Sequence, residues 1–461
     1  MTEPIRTLKD SPLIRWSALI LISIVMFSSY YFYDVYSSIK TILQTEVGLS
    51  NVEYGTMYGA YSFTNSILLM AFFGGVILDR WGIRKTGSLF LGFMIIGTIG
   101  VAYGASDIFK PGSFAYNFFG AFMDKYSPEL KMMIFGRILF GLGAETFYVA
   151  INKVIAKWFK GKELALAFAI SLAFGRFGTA GALMLSPRLV NIDFGWTAAG
   201  WFGVILMLIA LMGFVFFVVF DIRYDRQIKE SSSEAQEKGL NFKELIKLFT
   251  NKSFIYITLL CLTFYSAVFP FMPYAADLLY NKFGMPEEIS AMVVTILPFG
   301  TVIFTPIFGW WCDFKGKSAS LMILGSILLI IVFLSLSLTN ILPYIPMFLL
   351  GVAFSLVPAA MWPAVAKIVN ESRLGTAYGT MFTIQNFGMM LIPVLMGVIL
   401  DKTNHGISAE AVQAGEAVYD YKFTILFLGI LGLIGLVFAI LLKREDKVSG
   451  HGIELPNKLR A

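Results

Sequence analysis

Gly75-Val-Ile-Leu-Asp79-Arg80-Trp-Gly82-Ile-Arg84-Lys85 stands between two long apolar blocks. A weaker copy, Gly309-Trp-Trp-Cys-Asp313-Phe-Lys-Gly316-Lys317, stands between two others. Charged side chains are costly in hydrocarbon, so each copy marks a short connection at a membrane face. Basic residues in short loops favour the cytoplasmic side. Two copies in equivalent places indicate a chain built from two repeats.

The blocks around these connections are about as long as a helix needs to cross a bilayer. They are read as twelve spans, over 14–40, 52–77, 86–106, 131–156, 163–187, 196–220, 253–281, 288–311, 319–339, 343–368, 373–401 and 422–442. The 461 residues are 57% hydrophobic and 14% charged. A soluble chain carries about 25% charged residues, so this one cannot cover itself with a water-facing surface. The net charge of +6 is scattered through short loops, which excludes a phosphate-binding face for nucleic acid. The first block, from Leu13, is longer than a signal-peptide core and lacks a small-residue cleavage site, so it is read as span 1. Sequons at Asn251 and Asn370 fall on the expected cytoplasmic side and should stay unused.

An even number of spans returns both ends to one face. Lys and Arg concentrate in the tails and even-numbered loops, so both termini are expected in the cytoplasm. The division expected is a first six-helix bundle over 1–220, a linker over 221–252, a second bundle over 253–445 and a tail over 446–461. Phe242, Leu245, Ile246, Leu248 and Phe249 give the linker an amphipathic stretch. Further correspondences tie the bundles together. Phe140-Gly141 matches Leu350-Gly351, and Phe177-Gly178 matches Phe387-Gly388. The offset is smaller here than between Asp79 and Asp313. The first bundle therefore carries an insertion between spans 3 and 4. The aromatic segment from Asp107 to Lys131 fits it, as a re-entrant or surface element on the outer face.

The Gly-x3-Asp-Arg-x-Gly-x-Arg-Lys run resembles the signature loop of the major facilitator superfamily. That resemblance implies an all-α membrane fold of two pseudo-symmetric six-helix bundles. It also implies that Asp79 meets a helix N-terminus at the cytoplasmic gate, a favourable charge–dipole contact. Arg80 and Arg84 would tie the halves together when that side closes, with Asp313 as the second-half counterpart.

Four ionisable residues inside the spans draw attention: Asp34, Arg137, Glu145 and Arg176. Intramembrane charges usually line a cavity or pair with each other. Glu145, in Gly141-Leu-Gly-Ala-Glu-Thr146, and Arg176, in Gly175-Arg-Phe-Gly178, each lie about 20 Å along their helices, near the midplane. Opposite charges at one depth either form a structural pair or hold a zwitterion. Arg137 matches the span 4 arginine common in the superfamily; a cavity role and a pairing with Asp34 are both open. Tyr30, Tyr33 and Asp34 line the outer half of a cavity, or the tyrosines of this stretch are interfacial aromatics. In the second half, Ser355 and Asn386 are the repeat counterparts of Glu145 and Arg176. Trp362-Pro363 and Phe269-Pro270 add aromatic surface and helix breaks.

Longer runs resemble one branch of the superfamily, the lysosomal dipeptide uniporters. They include Trp158-Phe-Lys-Gly-Lys-Glu-Leu-Ala-Leu-Ala-Phe168, Ala173-Phe-Gly-Arg-Phe-Gly178, Thr305-Pro-Ile-Phe-Gly309, Met361-Trp-Pro-Ala-Val-Ala366 and Leu374-Gly-Thr-Ala-Tyr-Gly379. The resemblance implies dipeptide transport without an obligatory ion. Glu145 would take the ammonium end and Arg176 the carboxylate, a charge-assisted contact. Ser355, Trp362 and Asn386 would close the site from the other half. The N-terminus lacks an acidic dileucine sorting signal, so a bacterial inner membrane is expected rather than a lysosome.

No enzyme is indicated. His405 and His451 lie in a loop and the tail, and no phosphate loop of the Walker type is present. Cys261 and Cys312 sit in apolar segments and frame neither a disulfide nor a metal site, so no cofactor is expected. The expected partners are a small solute and the bilayer, and the expected state is a monomer. Two rival readings remain: a proton-coupled carrier of organic anions or peptides, with Glu145 titrating, and a non-transporting receptor on the same fold.

Overall fold

The computed structural model describes residues 8–159, 162–192, 194–229, 248–369 and 374–457. Among the described residues, ten helices are long and apolar enough to cross a membrane, and twelve spans result when each of two bent pairs counts as one. The first half holds Pro12–Asp34, the bent pair Asn51–Ile67 plus Met70–Leu78, Arg80–Gly104, Pro128–Phe159, Leu164–Leu189 and Ala198–Lys229. The second half holds the bent pair Lys252–Val268 plus Met272–Phe283, then Glu287–Phe314, Ser318–Leu338, Tyr344–Ile368, Leu374–Thr403 and Lys422–Ser449. These are spans 1 to 12 below. The face carrying both chain ends is called the terminal face.

The breaks have local causes. Span 7 bends by 43° after Val268, where Pro270 cannot donate to the helix and crowds the carbonyl four residues back. Span 2 bends by 59° at Leu68-Leu69, with Leu69 in a left-handed conformation. Thr64, Asn65 and Ser66 are buried beside the break, and the Asn65 amide donates to the Gly141 carbonyl of span 4 at 3.4 Å. Span 10 runs unbroken through Pro358 and Pro363, so the break expected at Trp362-Pro363 is absent. Gly82, at φ 74°, turns the chain from span 2 into span 3, a conformation costly for a residue with a Cβ.

Several boundaries differ from the hydropathy reading. Span 1 stops at Asp34, where Ser37 N–H closes a turn on the Asp34 carbonyl. A short helix, Lys40–Val47, then lies at the face opposite the termini. Span 6 continues as helix to Lys229 and span 12 to Ser449, past the apolar stretches because charged residues favour helix once in water. Phe242, Leu245, Ile246 and Asn370 lie outside the described residues; Leu248 is buried and Phe249 exposed. The insertion forms a short helix, Tyr116–Gly120, and a small core of its own around Phe109, Phe119 and Met132.

The halves meet along two seams, span 2 against span 11 and span 5 against span 8. Among the described residues, the polar contacts joining them cluster at the face opposite the termini. Lys40 Nζ sits 2.8 Å from the Asp277 carboxylate. That carboxylate also accepts from Thr41 at 2.8 Å and from Tyr421. The rings of Tyr54, Tyr274, Tyr419 and Tyr421 surround the ammonium within 5.0–6.0 Å. The pair is buried, and such a pair persists only with its remaining hydrogen bonds satisfied.

Candidate functional site

Glu145 lies in the middle of span 4, on the turn after Gly141 and Gly143. Its carboxylate accepts from the Tyr61 hydroxyl at 2.8 Å. Gly141 is needed for this approach, because a Cβ there would meet the Tyr61 backbone. Tyr61 is itself held edge-on against Tyr33 at 4.9 Å. Arg176, in span 5, places its guanidinium 4.9 Å from the Phe354 ring of the other half and 5.9 Å from the Tyr30 ring. Planar cations favour the negative faces of aromatic rings. Tyr30 stacks on Tyr148 at 5.7 Å and lies within electrostatic range of Arg176, Glu145 and Asp34.

Glu145 and Arg176 are both half-buried, and among the described residues no ion pair within 4 Å involves either. Two opposite charges at mid-span thus face the space between the halves without neutralising each other. The structural pairing left open by the sequence is not formed. The opposite wall comes from the second half. Trp362 donates its indole N–H to the Tyr265 hydroxyl at 3.0 Å and stacks on Phe382 at 4.9 Å. Its carbonyl accepts from the Tyr378 hydroxyl at 3.0 Å.

Other expected site residues lie elsewhere. Ser355 is fully buried, and its hydroxyl donates to the Gly351 carbonyl at 2.7 Å, so it contributes to helix packing. Asn386 is also buried, and donates to the Phe382 carbonyl at 2.9 Å. Arg137 is 0% exposed. It sits 4.4 Å from the Tyr58 ring and 5.4 Å from the Phe32 ring, with one N–H on the Tyr33 carbonyl at 2.9 Å. Asp34 instead accepts from Thr179 at 2.8 Å and Ser37 at 3.5 Å, and no ion pair within 4 Å joins it to Arg137. Tyr33 stands between these groups and the site, half-buried over Tyr58 and Tyr61. Pairing of Asp34 with Arg137 and direct access of Arg137 to the central space are therefore not seen in this conformation.

The signature loop was expected to tie the halves together only when its side is closed. Arg84 does not bridge the halves here. It binds Asp221 at 2.8 Å and also Asp225, both on span 6 of its own half. Lys157 of span 4 joins the same carboxylates at 2.7 and 2.6 Å. Arg80 is exposed, and the side chain of Asp79 lies outside the described residues. Asp313 accepts from Asn457 of the tail at 3.1 Å. The tail packs back on the second half, with Ile453 fully buried and the Glu454 carboxylate on the Ser320 N–H at 2.8 Å.

Tyr61, Tyr148, Phe354, Tyr265 and Phe382 make these contacts with Glu145, Tyr30, Arg176 and Trp362, and the sequence reading did not name them. Their signal was available in part: Tyr54, Tyr58 and Tyr61 share one helical face, but aromatic residues at that spacing are ordinary in membrane helices.

Comparison with known proteins agrees with this architecture. The family model described as Major Facilitator Superfamily matches residues 22–286 and 271–458. The chain is 30% identical over 405 residues to the human (Homo sapiens) lysosomal dipeptide transporter MFSD1, covering 85% of this chain and 81% of that one. The mouse (Mus musculus) protein of the same name is 31% identical over 402 residues, with 85% and 81% covered. Among solved structures, the nucleoside transporter NupG superposes with a TM-score of 0.66 at 13% identity, over 93% of this chain and 99% of that one.

Proposed function

The chain belongs to the major facilitator superfamily and is a multi-pass membrane transporter; within that family we propose that it moves dipeptides by alternating access, as a uniporter. The observation that carries this reading is the pair of unneutralised charges at mid-span. Glu145 offers an acceptor for an ammonium, and Arg176 offers two parallel donors for a carboxylate. Phe354 and Trp362 supply the far wall. A solute held by its termini leaves its side chains to an aromatic surface, which tolerates many shapes. The relatives at 30% and 31% identity are named as dipeptide transporters, which supports the substrate class.

In this reading the terminal face is cytoplasmic, as the basic loops favour, and the seal around Lys40 and Asp277 closes the outer side. The conformation is then open to the cytoplasm, with Arg80, Arg84 and Asp313 as residues of the disengaged cytoplasmic gate, to which the signature assigns Asp79 as well. Arg137, Asp34 and Tyr33 act behind the site, holding the outer parts of spans 1, 2 and 4. The protein works as a monomer in a cell inner membrane.

Thermal melting of the purified protein against dipeptides, free amino acids, tripeptides and dicarboxylates tests the substrate class. A ligand at 100 times its Kd stabilises the folded state by about 2.7 kcal/mol. Stabilisation by dipeptides and not by dicarboxylates is expected. Stabilisation by dicarboxylates alone would move the function to organic anions.

A further inference from the structure

The first five residues of the signature, Gly75-Val-Ile-Leu-Asp79, recur without change at the end of span 11 as Gly397-Val-Ile-Leu-Asp401. A basic residue follows each, Arg80 and Lys402. The two spans also begin alike. Span 2 opens with Gly55-x3-Gly59, and span 11 opens with Gly375-x3-Gly379. Each helix therefore carries a pair of small residues at its start and the same acidic pentapeptide at its end. The spans run in opposite directions, so the two pentapeptides lie at opposite membrane faces. Such a relation is expected of the inverted repeats nested in this fold.

The span 11 copy is engaged. The Asp401 carboxylate accepts from the backbone N–H groups of Asn51 at 3.3 Å and Val52 at 3.1 Å, and from the Asn51 side chain at 2.8 Å. Those amides open span 2, so a carboxylate of one half caps a helix N-terminus of the other. Gly397 lies one turn before Asp401 on the same face, and a Cβ there would meet the Asn51 backbone. A Cβ on Gly55 or Gly59 would meet the carbonyls of Pro393 or Met390. The seam is thus closed backbone to backbone at this face, as small residues allow. At the terminal face it is loose. Among the described residues nothing lies within 4 Å of a Cβ on Gly75, and one on Gly379 would meet only Phe72, at 3.6 Å.

We propose that Gly397–Asp401 is a second, inverted copy of the signature and forms the lock of the outer gate, with Asp401 holding the N-terminus of span 2. The two copies act in antiphase along one seam. Docking of Asp401 on span 2 accompanies release of Asp79 from the start of span 11, and the reverse. The proposal rests on the alternating-access reading. It adds Asp401 and Gly397 as positioning residues, and it explains why the glycine and the aspartate recur together at one helical turn.

Pairs of spin labels measure the balance. Cys261 and Cys312 are buried, so labels go to introduced cysteines at exposed positions. Glu46→Cys with Glu416→Cys reports the outer face, and Lys85→Cys with Lys315→Cys reports the cytoplasmic face. Asp401→Ala should lengthen the outer distance and shorten the cytoplasmic one, raising the outward-open to inward-open ratio about fivefold, the usual effect of losing a helix cap. Adding Asp79→Ala should return the ratio towards its starting value. Asp401→Asn, which keeps the shape but loses the charge, should shift it the same way and serves if the alanine variant does not fold. Unchanged distances in both Asp401 variants, while Ala-Ala dipeptide still shifts both pairs, would overturn the lock and leave alternating access standing. Distances that neither the variants nor Ala-Ala move would overturn both.

Discussion

Glu145 and Arg176 show what a pair of charges can mean in a membrane protein. Had they met, they would be a structural ion pair; unpaired and half-buried, they are what we propose as the two poles of the site. Glu145→Gln keeps the shape and the Tyr61 contact but removes the charge that an ammonium needs. The account predicts loss of Ala-Ala stabilisation in melting assays, while the ligand-free Tm stays within a few degrees. Arg176→Lys should cost transport at least tenfold, since an ammonium cannot reproduce a two-donor contact. Near-normal uptake in that variant would show that no bidentate carboxylate contact is made. Both positions stand out in the sequence because charge at mid-span is rare and costly. Arg137 was equally visible, yet it is enclosed by Phe32, Tyr33 and Tyr58. Sequence gives the depth of a charge but not which way its helix is turned. Equivalence by repeat fixes the height of Ser355 and Asn386 but not their direction; in this conformation the Ser355 hydroxyl and the Asn386 amide N–H donate to carbonyls of their own helices.

At the scale of elements, the twelve spans followed from hydropathy, and their ends did not. Span 1 was read to Lys40, but the polar run Ser37-Ser38 supports a turn, and Lys40 belongs to the outer seal instead. The contacts between elements depend on glycines whose neighbours only the fold reveals. Gly141 sits against the Tyr61 backbone, and this contact sets where Tyr61 meets Glu145. Gly141→Ala should push the two helices apart at a cost of about 1–3 kcal/mol, the range for overpacking. The expected result is a lowered Tm together with weakened dipeptide binding. Unchanged binding at a lowered Tm would mean that Tyr61 does not position the carboxylate. The repeat of Gly-Val-Ile-Leu-Asp at both ends of the span 2–span 11 seam was present in the sequence. It escaped notice because a comparison between parallel halves does not look for inverted copies.

At the scale of the molecule, buried polar contacts join the two halves on the face opposite the termini, and among the described residues none joins them at the terminal face. The face opposite the termini carries a buried Lys40–Asp277 pair and the Asp401 cap. At the terminal face, the charges of the signature loop are turned inward onto their own half, through Arg84, Lys157 and Asp221. Arg84 and Lys157 are thus occupied within their own half in this state, which fits the proposed opening at the terminal face. Rocking of the halves around Glu145 and Arg176 then requires these two sets of contacts to alternate. The most direct test is counterflow of labelled Ala-Ala into proteoliposomes preloaded with unlabelled Ala-Ala, with no pH gradient. The account predicts accumulation of label without a pH gradient, no counterflow when the amino terminus of the solute is acetylated, and none in Glu145→Gln. Absence of Ala-Ala counterflow from the folded, reconstituted protein, or flux that appears only when a pH gradient is imposed, would contradict it.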